Sequence, residues 1–206
     1  MLITVSRRFG AGGSEVAGRV AETLGWRVVD NAFIDQVAER AGLPPEEVAR
    51  REERTPSFMD RLSRTTALAF PELFATPVTS VDDFEEAKLV KITRNLVAEL
   101  ASEGRIVLVG RAAAAMLADN PDAMHVLLVA PREDRIRFTM ERLNLDHDAA
   151  AQAVDDIDLN RERYHREYYG REWLDASNYD LTLNTSRLGF RGAAELITAC
   201  ARRLGG

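Results

Sequence analysis

The sequence predicts an α/β fold in which a five-stranded parallel sheet is flanked by helices in three layers. Five short apolar runs alternate with segments that carry apolar residues at helical spacing. This alternation favours parallel strands joined by crossover helices. Ligands bind such sheets at the carboxyl ends of the strands, so the residues that follow each strand are the first candidates for a site.

The first strand, residues 2–5, leads into the glycine-rich stretch SRRFGAGGSE and then into a helix that ends at Gly25. Glycines let backbone N–H groups approach an anion closely, and a helix N-terminus adds unpaired donors and a positive partial charge. The stretch therefore predicts a phosphate site, although the same residues could form a turn without a ligand. The predicted phosphate-binding residues are Gly10, Ala11, Gly12, Gly13 and Ser14.

This loop departs from the Walker A pattern G-x-x-x-x-G-K-[ST]. When the second glycine of the pattern is placed on Gly12, Ser14 falls on the hydroxyl position and is the candidate magnesium ligand. Arg7 then stands at the first glycine and Gly13 at the lysine. Arg7 and Arg8 are the candidate cations in place of the lysine, and the sequence leaves open which of them turns inward.

Two more candidates follow predicted strands. Asp30 ends the strand 26–30 and could contact a sugar or base, help to order magnesium, or cap the helix predicted over 31–42. Arg111 follows the continuous apolar run 106–109, which indicates a strand buried on both faces. An arginine there suggests an anionic ligand, with a salt bridge as the alternative.

The middle of the chain is less regular. Residues 55–80 contain three prolines but are too apolar for a linker, and we interpret them as an irregular helical insertion. Whether that insertion is a mobile subdomain or a homo-oligomer contact stays open. A long helix is predicted over 81–103, with Gly104 as its end.

The carboxyl-terminal half predicts an arginine-rich lid over about 131–175, after a strand at 125–129. Pro131 opens one helix, and Asp146 begins a second. Most of the lid arginines alternate with acidic residues, as on a solvated helix face, but Arg135 and Arg161 are the candidates to face a ligand. The last elements are a strand over 179–184 and a helix over 189–204.

Composition limits the alternatives. The chain of 206 residues is long enough for a single domain with one sizeable core and a small lid. Its net charge of −6 argues against broad binding to nucleic acid or an anionic membrane. The single Cys200, the absence of a signal-peptide pattern and the absence of a long apolar run lead us to expect a cytoplasmic protein.

These residues together resemble the cytidylate kinase-like branch of the P-loop nucleoside monophosphate kinases. The resemblance rests on ITVSRRFGAGG at 3–13, LGWRVVD at 24–30, VGR at 109–111, REDR at 132–135, DLNR at 158–161, YYG at 168–170 and YDLTLNTS at 179–186. These motifs occur in the family's order over nearly the whole chain, and together they are specific for the family.

The resemblance implies a P-loop kinase fold and magnesium-dependent transfer of a phosphoryl group from ATP to a small nucleotide, CMP or dCMP. The glycine loop would hold the ATP phosphates. Arg135 would approach those phosphates from the lid. Together with Arg7 and Arg8 of the loop, it is our candidate for a catalytic role. The residues implied to contact the acceptor are Asp30, Arg111, Asp158 and Arg161.

The chain departs from the motifs of the family's cytidylate kinases. Those enzymes carry the loop lysine where this chain has Gly13, and an aspartate where it has Ala112. A protein that binds nucleotide for regulation, with little or no turnover, is therefore the alternative. An assembly protein that uses residues 55–80 as an interface is a third hypothesis.

Overall fold

The computed structural model describes residues 1–30, 32–44 and 81–205. The insertion predicted over 55–80 lies outside these residues, so its form stays a prediction.

A five-stranded, all-parallel sheet forms the centre of the described structure, in the order β2-β3-β1-β4-β5. The strands are β1 (Leu2–Arg7), β2 (Arg27–Val29), β3 (Ile106–Val109), β4 (Ala123–Val129) and β5 (Leu181–Asn184). The predicted parallel sheet is confirmed. Because β1 is central, the glycine loop that follows it lies between the carboxyl ends of β3 and β4.

Helices cover both faces of this sheet. They are α1 (Gly13–Leu24), α2 (Ala32–Ala41), α3 (Val81–Glu103), α4 (Ala113–Met116), α5 (Arg132–Leu143), α6 (His147–Tyr169) and α7 (Thr185–Leu204). The short helix α4 was not predicted from the sequence.

The core consists of two apolar layers, because successive side chains of a strand point to opposite faces. Ile3 and Val5 of β1 pack with apolar residues of α1 and α7, while Leu2 packs with apolar residues of α2, α3 and α4. Full burial of such a side chain is worth about 1.5–3 kcal/mol. The three-layer prediction is thus confirmed, and the packed sheet holds the strand ends in fixed positions.

Two helix starts show how closely local signals set the boundaries. Asp146 caps α6 by accepting a hydrogen bond from the Ala149 N–H at 2.8 Å, as the sequence predicts. The last helix begins earlier than predicted, at Thr185, because a kink at Gly189 (φ 66°, ψ 165°) joins a first turn to the longer helix. Asn184 caps that first turn.

The arginine-rich segment forms α5 and α6, which pack together beside the glycine loop. Ile136, Ala150 and Val154 form a small buried cluster, against which Phe9 of the loop also packs. The loop is therefore attached to the predicted lid as well as to the sheet.

None of the helices in the described ranges combines the length and the apolarity that crossing a bilayer requires.

Candidate phosphate-binding site

The glycine loop is bent by two residues with left-handed backbone conformation, Gly10 (φ 77°) and Gly12 (φ 76°). A Cβ atom on Gly10 would lie 2.6 Å from the Arg135 carbonyl oxygen, and one on Gly12 would lie 2.2 Å from the Phe190 ring. Glycine is required here because the loop fits closely between α5 and α7 and because its φ angles disfavour other residues.

The helix α1 begins directly after this bend, without a side-chain cap. Gly12 occupies the N-cap position, where no side chain accepts a hydrogen bond from the first turn. The first amides of a helix have no intrahelical acceptor and carry part of the positive end of the helix dipole. They are therefore available to an anion.

A buried hydroxyl beside the loop also lacks a partner. Thr139 of α5 is 2% exposed, lies next to Gly10, and its Oγ1 has no hydrogen-bond partner among the described residues. A buried hydroxyl without a partner is costly, so a ligand group that completed its hydrogen bonding would be favoured. Thr139 was not among the residues predicted from the sequence, although it lies one helical turn after Arg135.

Ser14 and Asp30 form the polar pair of the site. The Ser14 Oγ donates a hydrogen bond to Asp30 Oδ2 at 2.5 Å, which brings the first turn of α1 to the end of β2. Magnesium in nucleotide sites is held by one or two carboxylates or hydroxyls together with substrate phosphates and water. The pair fits that requirement, whereas the described residues contain no cluster of three or more His, Cys, Asp or Glu side chains that could hold an ion alone.

Asp158 anchors the loop from α6. It accepts hydrogen bonds from the Phe9 backbone N–H at 2.8 Å, from Arg8 Nε at 3.1 Å and from Arg135 Nη1 at 2.8 Å. These donors occupy the carboxylate that the resemblance assigns to the acceptor nucleotide.

Arg135 is likewise engaged by protein groups. Its side chain is 1% exposed, and it donates to the carbonyl oxygens of Phe9 and Ala130 as well as to Asp158. Burial lowers the pKa of its guanidinium, an effect that Asp158 opposes. In this conformation Arg135 holds the loop, and its catalytic role stays a prediction.

Arg111 and Arg161 approach the loop from β3 and α6. Burial and, to a smaller extent, the nearby Arg7 lower the pKa of Arg111 to about 10. Two guanidinium groups so close together favour an anion between them. Arg161 donates from Nη1 to the Arg7 carbonyl oxygen at 3.0 Å and lies 5.7 Å from the Phe9 ring centroid.

A cavity of about 490 Å³ brings most of these groups together. Its volume is within the range of small-molecule sites. The predicted site residues that line it are Arg7, Arg8, Gly10, Gly12, Gly13, Ser14, Asp30, Arg111 and Arg161. Ala11, Arg135 and Asp158 are not lining residues; the Ala11 carbonyl oxygen accepts from Thr185 Oγ1 at 3.0 Å, which fixes the loop to the start of α7.

Part of the cavity wall is aromatic. Tyr164 and His165 of α6 line it together with Trp173. The His165 and Trp173 rings stack with centroids 6.1 Å apart. Burial lowers the pKa of His165 to about 4, with a further contribution from Arg161 and Arg171. The imidazole is therefore neutral near pH 7 and adds no charge to the site.

A family profile described as "Cytidylate kinase-like family" matches residues 2–187. The chain belongs to the cytidylate kinase-like family. The matched range contains the glycine loop, Asp30, Arg111 and both arginine-rich helices. The family and its kinase fold support a nucleoside monophosphate kinase.

Individual proteins agree with this assignment. The chain is 24% identical to the cytidylate kinase of Methanocaldococcus jannaschii over 208 residues, which cover 99% of each sequence. An uncharacterized protein from Eubacterium ventriosum has a similar structure, with a TM-score of 0.70 at 20% identity over 98% of each chain. Shikimate kinase from Bacteroides thetaiotaomicron matches with a TM-score of 0.53 at 12% identity, again over 98% of each chain. These structural matches support the P-loop kinase fold.

Proposed function

We propose that this chain is a nucleoside monophosphate kinase that uses ATP and Mg²⁺ to phosphorylate CMP or dCMP. The observation that carries the proposal is one cavity that holds the uncapped start of α1, the Ser14–Asp30 pair and Arg111. The relatives named cytidylate kinases support the choice of CMP.

The loop supplies most of the donor site in this proposal. The backbone N–H groups of Gly10, Gly12, Gly13 and Ser14 bind the phosphates of ATP, and the Thr139 hydroxyl adds a donor beside Gly10. The Ala11 N–H takes no part, because it donates to the Arg8 carbonyl oxygen at 3.1 Å. Ser14 and Asp30 hold Mg²⁺, which neutralises charge on the phosphate oxygens when it is bound. Asp158 and Arg135 keep the loop in the shape that aims its N–H groups into the cavity.

Arg111 and Arg161, which approach the loop from β3 and α6, bind and orient the acceptor in the same cavity. An oxygen of the acceptor phosphate forms a bond to the γ-phosphorus while the bond to the bridging oxygen breaks, and ADP leaves with that electron pair. Positioning and positive charge provide most of the catalysis in such transfers. The packed α5–α6 pair and the aromatic wall limit access of water, which would otherwise compete as the acceptor.

The alternative, regulatory binding of nucleotide without turnover, is favoured by one specific feature. Gly13 removes the side-chain cation that a Walker A lysine would place at the transferred phosphate. This alternative uses the same loop and cavity and differs from the kinase only in whether ADP forms.

A coupled assay of ADP formation separates the two functions. The protein is incubated with ATP, Mg²⁺ and, in turn, CMP, dCMP, UMP, AMP and GMP, and turnover is expected to be highest with CMP and dCMP. Arg111→Ala should raise the KM for the acceptor by about 10- to 100-fold, the value of a lost charged hydrogen bond. Ser14→Ala should raise the Mg²⁺ concentration needed for half-maximal rate.

The matched control is Arg19→Ala, which removes an exposed arginine of α1 outside the cavity. It should leave both constants unchanged. A wild-type protein that binds ATP in calorimetry but forms no ADP with any acceptor would contradict the kinase and support the regulatory alternative.

A further inference from the structure

The glycine loop needs a cation near the phosphates, and the structure distinguishes its two candidates. Arg8 directs its Nε to Asp158 at 3.1 Å, and that carboxylate also binds Arg135 and the Phe9 N–H. Arg8 is therefore part of the anchor that holds the loop. Arg7, one residue earlier, belongs to a different environment.

The stem of the Arg7 side chain passes over Gly13. A Cβ atom on Gly13 would lie 2.7 Å from Arg7 Cγ and 3.0 Å from Cδ, closer than real Cβ contacts occur. The two residues therefore compete for one volume. A side chain at position 13, including a lysine, would displace Arg7 from its present path.

The guanidinium at the end of that stem rests on a second glycine. A Cβ atom on Gly110 would lie 1.8 Å from Arg7 Nη1 and 2.9 Å from Cζ. Gly110 directly follows β3, lies beside β1 and has a φ of 74°. Two glycines from separate elements thus form a channel that leads the Arg7 side chain along the loop to the end of β3.

The head group of Arg7 lies among the charged residues of the cavity. It lines the cavity, and its charged neighbours are Asp30, Arg111 and Arg142. Within residues 1–30, 32–44 and 81–205, no hydrogen bond or ion pair engages its guanidinium. Burial lowers the pKa of its guanidinium, and the nearby Asp30 carboxylate opposes that effect.

We propose that Arg7 is the phosphate-contacting cation of the loop and that Gly13 and Gly110 are required to seat it. At the first position of the Walker A pattern this chain has Arg7 in place of glycine, and at the seventh position it has Gly13 in place of lysine. The cation therefore comes from the other end of the loop. The planar guanidinium can bind two phosphate oxygens at once. This inference rests on the proposed nucleotide site and adds which residue replaces the lysine.

A double-mutant cycle tests the coupling between the two positions. The four proteins are the wild type, Arg7→Ala, Gly13→Ala and the double variant Arg7→Ala/Gly13→Ala. Calorimetry measures the Kd of each protein for three ligands: ATP with Mg²⁺, tripolyphosphate with Mg²⁺, and AMP. Each single variant should weaken ATP and tripolyphosphate by about 10- to 100-fold and AMP much less. The double variant should bind no more weakly than Arg7→Ala, because the methyl group at position 13 acts only by displacing Arg7.

The control for fold is far-UV circular dichroism with a thermal melt of each variant, and Arg19→Ala is the control for general loss of positive charge. ATP binding that is unchanged in Arg7→Ala, or losses that add in the double variant, would overturn the inference. Because the readout is binding, a protein that binds ATP through Arg7 but forms no ADP would refute the kinase and leave this inference standing. A wild type that binds neither ATP nor tripolyphosphate would refute both.

Discussion

Arg135 Nη1 donates a hydrogen bond to Asp158 Oδ2 at 2.8 Å, and this buried pair connects α5 to α6 beneath the glycine loop. The same carboxylate holds the loop backbone through the Phe9 N–H. The shape of the loop therefore depends on a residue that lies in the arginine-rich part of the chain.

Replacing Asp158 with alanine should destabilise the protein strongly. It would leave the guanidinium of Arg135 buried without its counter-charge and the Phe9 N–H without its acceptor. Removing one partner of a buried ion pair costs about 3–5 kcal/mol, which urea unfolding would measure. The matched control is Asp155→Ala, at another aspartate of α6. It breaks only an exposed ion pair with Arg132 of α5 and should change stability little. Equal losses in the two variants would contradict the anchoring role.

Replacing glycine with alanine should have opposite effects on stability at Gly12 of the loop and at Gly18 of α1. Gly12→Ala would place a Cβ 2.2 Å from the Phe190 ring at a residue with a φ of 76°, and should reduce both stability and ATP affinity. Gly18→Ala, in the interior of α1, meets nothing within 4 Å and should raise the free energy of unfolding by about 0.5–1 kcal/mol. Thermal melts with and without ATP measure both effects. A harmless Gly12→Ala would show that the loop does not need its close contact with α7.

The buried His165 should make stability depend on pH. Its pKa in the folded protein is about 4, below the value of about 6.5 in an unfolded chain, so the unfolded state binds more protons at intermediate pH. The contribution of the neutral His165 to the free energy of unfolding is complete above pH 6.5 and is lost as the pH falls from there towards 4. The loss between pH 7.5 and pH 5 amounts to about 2 kcal/mol by linkage.

His165→Phe keeps an aromatic ring beside Trp173 and removes the titration. Urea unfolding at pH 7.5 and pH 5 should then show a smaller difference than in the wild type, by about the amount given above. Burial also lowers the pKa of His125, which acts in the same direction and remains in the variant as an internal reference. An unchanged pH dependence would mean that His165 is not held neutral by burial.

The sequence predicted the parts of this protein that depend on local patterns. The five strands, the loop at Gly10–Ser14 and the Asp146 cap follow from residues that are close in the chain, and the structure confirms these elements. The boundaries of the last helix could not be predicted, because one glycine at position 189 permits a kink that joins two segments.

The roles of individual arginines could not be predicted, because their partners are distant in sequence. Asp158 is 23 residues from Arg135 and 149 residues from Phe9, so nothing local indicates that the carboxylate is occupied by protein groups. The choice between Arg7 and Arg8 likewise depends on Gly110, which only the pairing of β1 with β3 brings close.

The central claim is that the N–H groups of the loop and the Arg7 guanidinium together hold a polyphosphate. A crystal structure with a non-hydrolysable ATP analogue and Mg²⁺ tests it most directly. We expect phosphate oxygens within hydrogen-bonding distance of the backbone N–H groups of Gly10 and residues 12–14 and of the Arg7 guanidinium, with the metal ion beside Ser14 and Asp30. An analogue bound elsewhere, with the Arg7 guanidinium turned away from its phosphates, would contradict it.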